Sequence, residues 1–169
     1  MAELNEALRD SSSLRLAELN EALRDSSSLR LAELNKALFV LLEKDKQTPA
    51  AIEIATAIES ILTGGATADT VIISDSYYIL GHFYLDKKNY TRASENFSIS
   101  AALREALGLA DRRYALGLTN NSVALLQAGD YSRAYAQGLK GLEARRAVSG
   151  MTPPHLLPIT LISPASALR

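Results

Sequence analysis

Residues 77–100, YYILGHFYLDKKNYTRASENFSIS, recur downstream in altered form. Aligning Tyr90-Thr91-Arg92-Ala93 with Tyr131-Ser132-Arg133-Ala134 gives a step of 41 residues. Both copies read as a helix, a short polar turn and a second helix. In the first copy Tyr77, Leu80, Gly81 and Tyr84 fall on one face at roughly 100° per residue. Beyond the Lys88-Asn89 turn, Ala93 and Phe97 share a face of the next helix. Gly81, lacking a side chain, is expected to let the two helices approach where small Ala93 meets it, with Tyr84 and Phe97 filling the space beyond. The second copy repeats the turn as Gly129-Asp130-Tyr131 followed by Ala134, with Leu118 and Leu125 in place of the tyrosines. Asn121-Ser122 there replaces Leu80-Gly81, and Gly138 replaces Phe97, which predicts a smaller core or one filled by a neighbour. A step of 42 upstream from Ala93 reaches Ala51; Leu38 and Leu42 then match Leu80 and Tyr84, with Phe39 at the glycine position. That stretch reads as a degenerate first repeat.

The set Tyr77, Leu80, Gly81, Tyr84, Ala93 and Phe97 resembles the tetratricopeptide (TPR) pattern aromatic-x2-L-G-x2-Y followed by A-x3-F. The step exceeds the usual TPR period of about 34 residues by close to two helical turns, so lengthened helices keep the same face inward. TPR families with longer repeats, such as those resembling kinesin light chains, have a step of this size. The resemblance implies an all-α, TPR-like solenoid of antiparallel helix pairs over 31–150. An ordinary antiparallel helical bundle is the competing arrangement.

Around this core the chain reads in order. AELNEALRDSSSLR occupies 2–15 and again 17–30 without a substitution, and AELN starts once more at Ala32. Folding alone does not preserve surface positions so completely; the identity points to recent tandem duplication or deliberate construction. Leu16, Leu19 and Leu23 form a helical stripe in the second unit. Either each unit is a short helix ended by Asp25-Ser26-Ser27-Ser28, or the units join in one long helix with the serines outward. The long helix is favoured, because an isolated helix of about 10 residues is marginal in water. A 15-residue period turns the stripe by roughly 60° per unit. Thr48 and Pro49 mark a helix start, on which Ile54, Ile58, Ile61 and Leu62 share a face, and Gly64-Gly65 a stop. Asp69 or Thr70 can cap the following helix and Asp111 starts a later one. Pro153, Pro154, Pro158 and Pro164 make 151–169 a tail or a truncated repeat.

Composition bounds the function. Hydrophobic residues make up 47% of the 169-residue chain, too many for a disordered one. Without cysteine there are no disulfides and no thiolate chemistry. The charged, amphipathic N-terminus is unlike a signal peptide, and no apolar run reaches the roughly 18 residues of a membrane span. A cytoplasmic protein without membrane contact is expected. The net charge of −1 argues against a nucleic-acid binder. Charge is nonetheless divided: residues 1–86 carry 14 acidic and 7 basic side chains, residues 87–169 carry 5 and 11. Such unlike ends favour head-to-tail attraction if they are not simply solvated faces.

Nothing specifies a reaction. His82 and His155 have no second ligand at metal spacing, and no nucleophile elbow, Walker loop or dinucleotide fingerprint occurs. The expectation is a non-enzyme without metal or cofactor. In TPR-like stacking the first helix of each pair lines a concave face. The resemblance therefore implies partner contacts at Asp75, Tyr78, His82 and Leu85, with Leu116, Thr119, Val123 and Leu126 downstream and Lys36 and Val40 upstream. Families that hold a peptide's terminal carboxylate use Lys, Asn and Arg there; Tyr78 and His82 occupy two such positions, so that specificity is not implied. The expected function is protein–protein interaction, a groove holding a partner peptide or helix. The alternative is a structural, self-assembling protein using the N-terminal repeat helix and the unlike ends.

Overall fold

The computed structural model describes residues 2–44, 48–65 and 67–149, with side chains from Arg15 onward apart from 16 and 44. The proline-rich segment 151–169, His155 included, lies outside the described residues. Within them the chain is all-α and contains no strand. Six helices follow one another: α1 (Ala2–Lys44), α2 (Pro49–Thr63), α3 (Thr70–Asp86), α4 (Tyr90–Ala106), α5 (Arg112–Gln127) and α6 (Tyr131–Val148). Each of α3/α4, α4/α5 and α5/α6 packs along its neighbour, while α1 packs on both α2 and α3.

Local chemistry sets the ends. Thr48 accepts from the Ala51 N–H, with Pro49 opening α2. Asp69, Asn89, Asp111 and Asp130 cap α3, α4, α5 and α6 through side-chain oxygens that accept backbone N–H bonds in the first turn. The turns of the repeat are alike at the level of single hydrogen bonds. Asn89 N–H donates to Tyr84 O and Lys88 N–H to Leu85 O; one step later Asp130 N–H donates to Leu125 O and Gly129 N–H to Leu126 O. Both are Schellman endings, and the residue that must be left-handed is Lys88 (φ 58°) in one and Gly129 (φ 83°) in the other.

The duplicated segment is one continuous helix, which passes residue 30 without a break. The serines are not all outward. Ser28 is buried, and its hydroxyl accepts from the Asp69 N–H at 2.8 Å, so this serine serves the start of α3 rather than a turn of its own. Leu31, Leu38 and Leu42 of α1 join Ala51, Ala55 and Ile58 of α2, Ile79, Leu80, Phe83 and Tyr84 of α3, Ala93 and Phe97 of α4 and Ala124 of α5 in the main core. Ala51, Ala93 and Ala134 are 0%, 0% and 4% exposed.

Gly81 does admit a close approach, but it is the Phe97 ring that takes the space: a Cβ on Gly81 would lie 2.6 Å from two of its carbons. The α5–α6 seam is built of small residues instead. A Cβ on Gly138 would meet Ser122 Oγ at 3.0 Å, one on Gly141 would meet Thr119 Oγ1 at 2.9 Å, and the Ser122 hydroxyl donates to Ala134 O at 2.7 Å. Nearer the end of α3, Tyr84 donates its hydroxyl to Glu59 of α2, which also pairs with Arg92 of α4 at 3.1 Å while that guanidinium lies over the Tyr84 ring. Burial and then the bond to Glu59 push the Tyr84 pKa up to about 12, so the phenol remains a donor.

Candidate partner-binding groove

Helices α1, α3 and α5 share one face, because side chains about one repeat step apart meet across them. Asn35 donates to Ser76 at 2.9 Å, and Asn120 donates to the Tyr78 hydroxyl at 3.3 Å. Two adjoining depressions run along this face. One is lined by Asn35, Lys36, Phe39, Ile72, Asp75, Ile79 and Arg113; the other by Phe39, Val71, Asp75, Tyr78, Arg104, Arg112, Arg113 and Leu116. Phe39, Asp75 and Arg113 border both. Phe39 is 48% exposed.

The charged floor is organised by Arg104 of α4, whose side chain is 4% exposed and pairs with Asp75 and Asp111. Arg113 Nε lies 3.4 Å from Asp75 Oδ1, and its guanidinium sits 4.8 Å above the Tyr78 ring. Four cations, Lys36, Arg104, Arg112 and Arg113, thus stand against two carboxylates, Asp75 and Asp111. The excess is positive, and Arg112 is exposed to solvent.

Several sequence-chosen residues serve a different end. Tyr78 is buried under Arg113 and edge-on to His82 and Phe97, and its pKa is raised chiefly by burial. His82 packs edge-on against Phe97 at 5.2 Å and accepts from the Asn120 amide at 3.1 Å, which requires an unprotonated Nε2. Burial lowers the His82 pKa in the same sense. Asp75 is committed to Arg104 and Arg113. Leu85 is half-buried against the main core. Thr119 returns its hydroxyl to Ala115 O. Val123 is 42% exposed, and Leu126 lies instead in a depression between α5 and α6. Tyr78, His82 and Asp75 therefore shape the groove wall, while Phe39, Lys36 and Arg112 are exposed to solvent.

Asn120, Arg112 and Arg113 join the groove without having been expected there, although a step of 42 from Tyr78 does land on Asn120. Arg112 and Arg113 carried no such signal beyond their place in the first turn of a helix. Among the described residues no group of three His, Cys, Asp or Glu side chains could hold a metal ion, and no helix is long and apolar enough to cross a membrane. No protein-family model, no curated protein and no solved structure matches the chain.

Proposed function

We propose that the chain is a TPR-like array of three helix pairs that binds a segment of a partner protein along the face of α1, α3 and α5. The observation that carries this reading is Phe39: a large apolar side chain about half exposed at the junction of two depressions, ringed by cations whose positive charge exceeds the carboxylates. Such a site suits an apolar anchor seated on Phe39, flanked by acidic side chains that meet Lys36 and Arg112. The part-buried Tyr78–His82–Asn120 cluster ties α3 to α5 along the groove.

Selection of peptides from a random display library on the immobilised full chain tests this. Selected peptides should carry an aromatic or aliphatic anchor beside Asp or Glu and shift the amide resonances of Lys36, Phe39 and Arg112. Phe39→Ala should weaken them by about 10–30-fold, the range of an interface anchor. Peptides that bind Phe39→Ala unchanged, or that shift residues elsewhere, would refute the assignment.

A further inference from the structure

Among the described residues, no helix packs on the outer face of α6. A step of 41 maps Ser94, Ser98 and Ala101 of α4 onto Tyr135, Leu139 and Leu142 of α6. In α4 these positions face α5: Ser94 donates to Asn121 at 2.7 Å, Asn121 donates to Ser98 at 3.2 Å, and Ala101 Cβ is 3.8 Å from where a Cβ on Gly117 would lie, which leaves Ala101 buried, Ser94 half-buried and Ser98 exposed. In α6 the matching side chains are larger, apolar and exposed: Tyr135 at 70%, Leu139 at 43% and Leu142 at 44%. With Leu126 and Tyr131 they line one continuous depression.

At the other end of the molecule, the described side chains of the N-terminal part of α1 have no packing neighbour among the described residues. Every described side chain from Arg15 to Ser26 is exposed, including Leu19 and Leu23. This stretch of α1, residues 2–27, is about 39 Å long against about 27 Å for α6, at roughly 1.5 Å per residue. It carries 6 acidic and 3 basic residues, whereas α6 carries 4 basic and 1 acidic. Net charges of −3 and +3 thus accompany the two apolar stripes.

We propose that the α5–α6 face of one copy receives the N-terminal stretch of α1 from a second copy. The two surfaces differ and stand at opposite ends of the chain of packed helices, so the contact is heterologous, head to tail, and open to further addition. Apolar burial on Tyr135, Leu139 and Leu142 supplies the attraction, and charge selects α1 over another α6.

Sedimentation of the full chain over a range of concentrations is the test, with two exposed-face variants whose helical circular dichroism should match the parent. Leu19→Glu with Leu23→Glu removes the donor surface; Tyr135→Lys with Leu139→Lys removes the acceptor. The parent should grow beyond a dimer with concentration and associate more weakly, without full dissociation, as ionic strength rises from roughly 0.05 M to roughly 0.5 M. Each variant alone should remain a monomer. Mixed in equal amounts, the two should form a 1:1 dimer and stop there, because one intact donor meets one intact acceptor. A parent that stays monomeric, a variant that associates as the parent does, or a mixture that stays monomeric would each overturn the proposal.

Discussion

Replacing Gly81 by alanine should destabilise the protein, even though alanine is the better helix former. The added Cβ would meet Phe97 Cδ1 and Cε1 at 2.6 Å and Cγ at 2.9 Å. The ring has little room to retreat, since Phe97 is fully buried and faces Tyr78 and His82 edge-on at 5.8 and 5.2 Å. Overpacking of this kind costs about 1–3 kcal/mol, and the gain in helix propensity returns about 0.5–1 kcal/mol. With the ring held on both sides the cost should fall in the upper part of that range, about 2–3 kcal/mol, leaving a net loss of about 1–2.5 kcal/mol and a fall in Tm of about 2–10 °C for a chain of this length. Gly117 supplies the opposite case. There a Cβ would find Ala101 Cβ at 3.8 Å and Phe97 O at 3.9 Å, ordinary contact distances, so Gly117→Ala should stabilise by about 0.5–1 kcal/mol. Urea unfolding followed at 222 nm reads both signs. Phe97→Leu in the Gly81→Ala background makes the test specific: the cost of the new methyl should shrink towards zero once the ring is gone. Additive effects of the two substitutions, or a neutral Gly81→Ala, would refute the claim that this ring sits on that glycine.

Other consequences follow from the turns and from His82. Lys88→Gly should raise stability by about 0.5–1 kcal/mol by relieving a left-handed lysine, visible as a Tm increase of about 1–4 °C; Gly129→Lys should do the reverse. His82 has its pKa lowered from 6.5, first by burial and also by Arg113, against an opposing pull from Asp86. The unfolded chain therefore binds more protons than the native one between the depressed value and 6.5. Stability should be full above 6.5 and fall with pH across that window. His82→Gln should remove this component, read as the difference between two pH series of thermal melts.

Much of the helix punctuation was legible because it is local. Thr48-Pro49, Asp69, Asn89, Asp111 and Asp130 act through hydrogen bonds within their own first turn, and a spacing in the sequence is a spacing along the helix. The burial of Ala51, Ala93 and Ala134 was legible for a related reason: equivalent small residues at a fixed step mark equivalent contacts. The partner of Gly81 was misjudged, since the choice between Ala93 and Phe97 depends on how far two helices slide past one another. Ser28 was misjudged as well. A serine in a helix reads as solvent-facing, and nothing nearby in sequence reveals that it caps the backbone of Asp69. The groove was read as the side chains pointing away from the partner helix. Tyr78, His82 and Asp75 do point that way, but α5 and Arg104 of α4 reach over and engage them, a tertiary fact with no local signature.

The groove exists only if α1 lies beside α3 with residues one repeat step apart in contact. The chain has no cysteine, so Asn35→Cys with Ser76→Cys gives a single pair at a site where the native side chains are 2.9 Å apart. Mild oxidation of the monomer, followed by mass measurement before and after thiol alkylation, should show one intramolecular disulfide and no free thiol. Two alkylated thiols in a protein that keeps its helical spectrum would contradict the arrangement of α1 on α3.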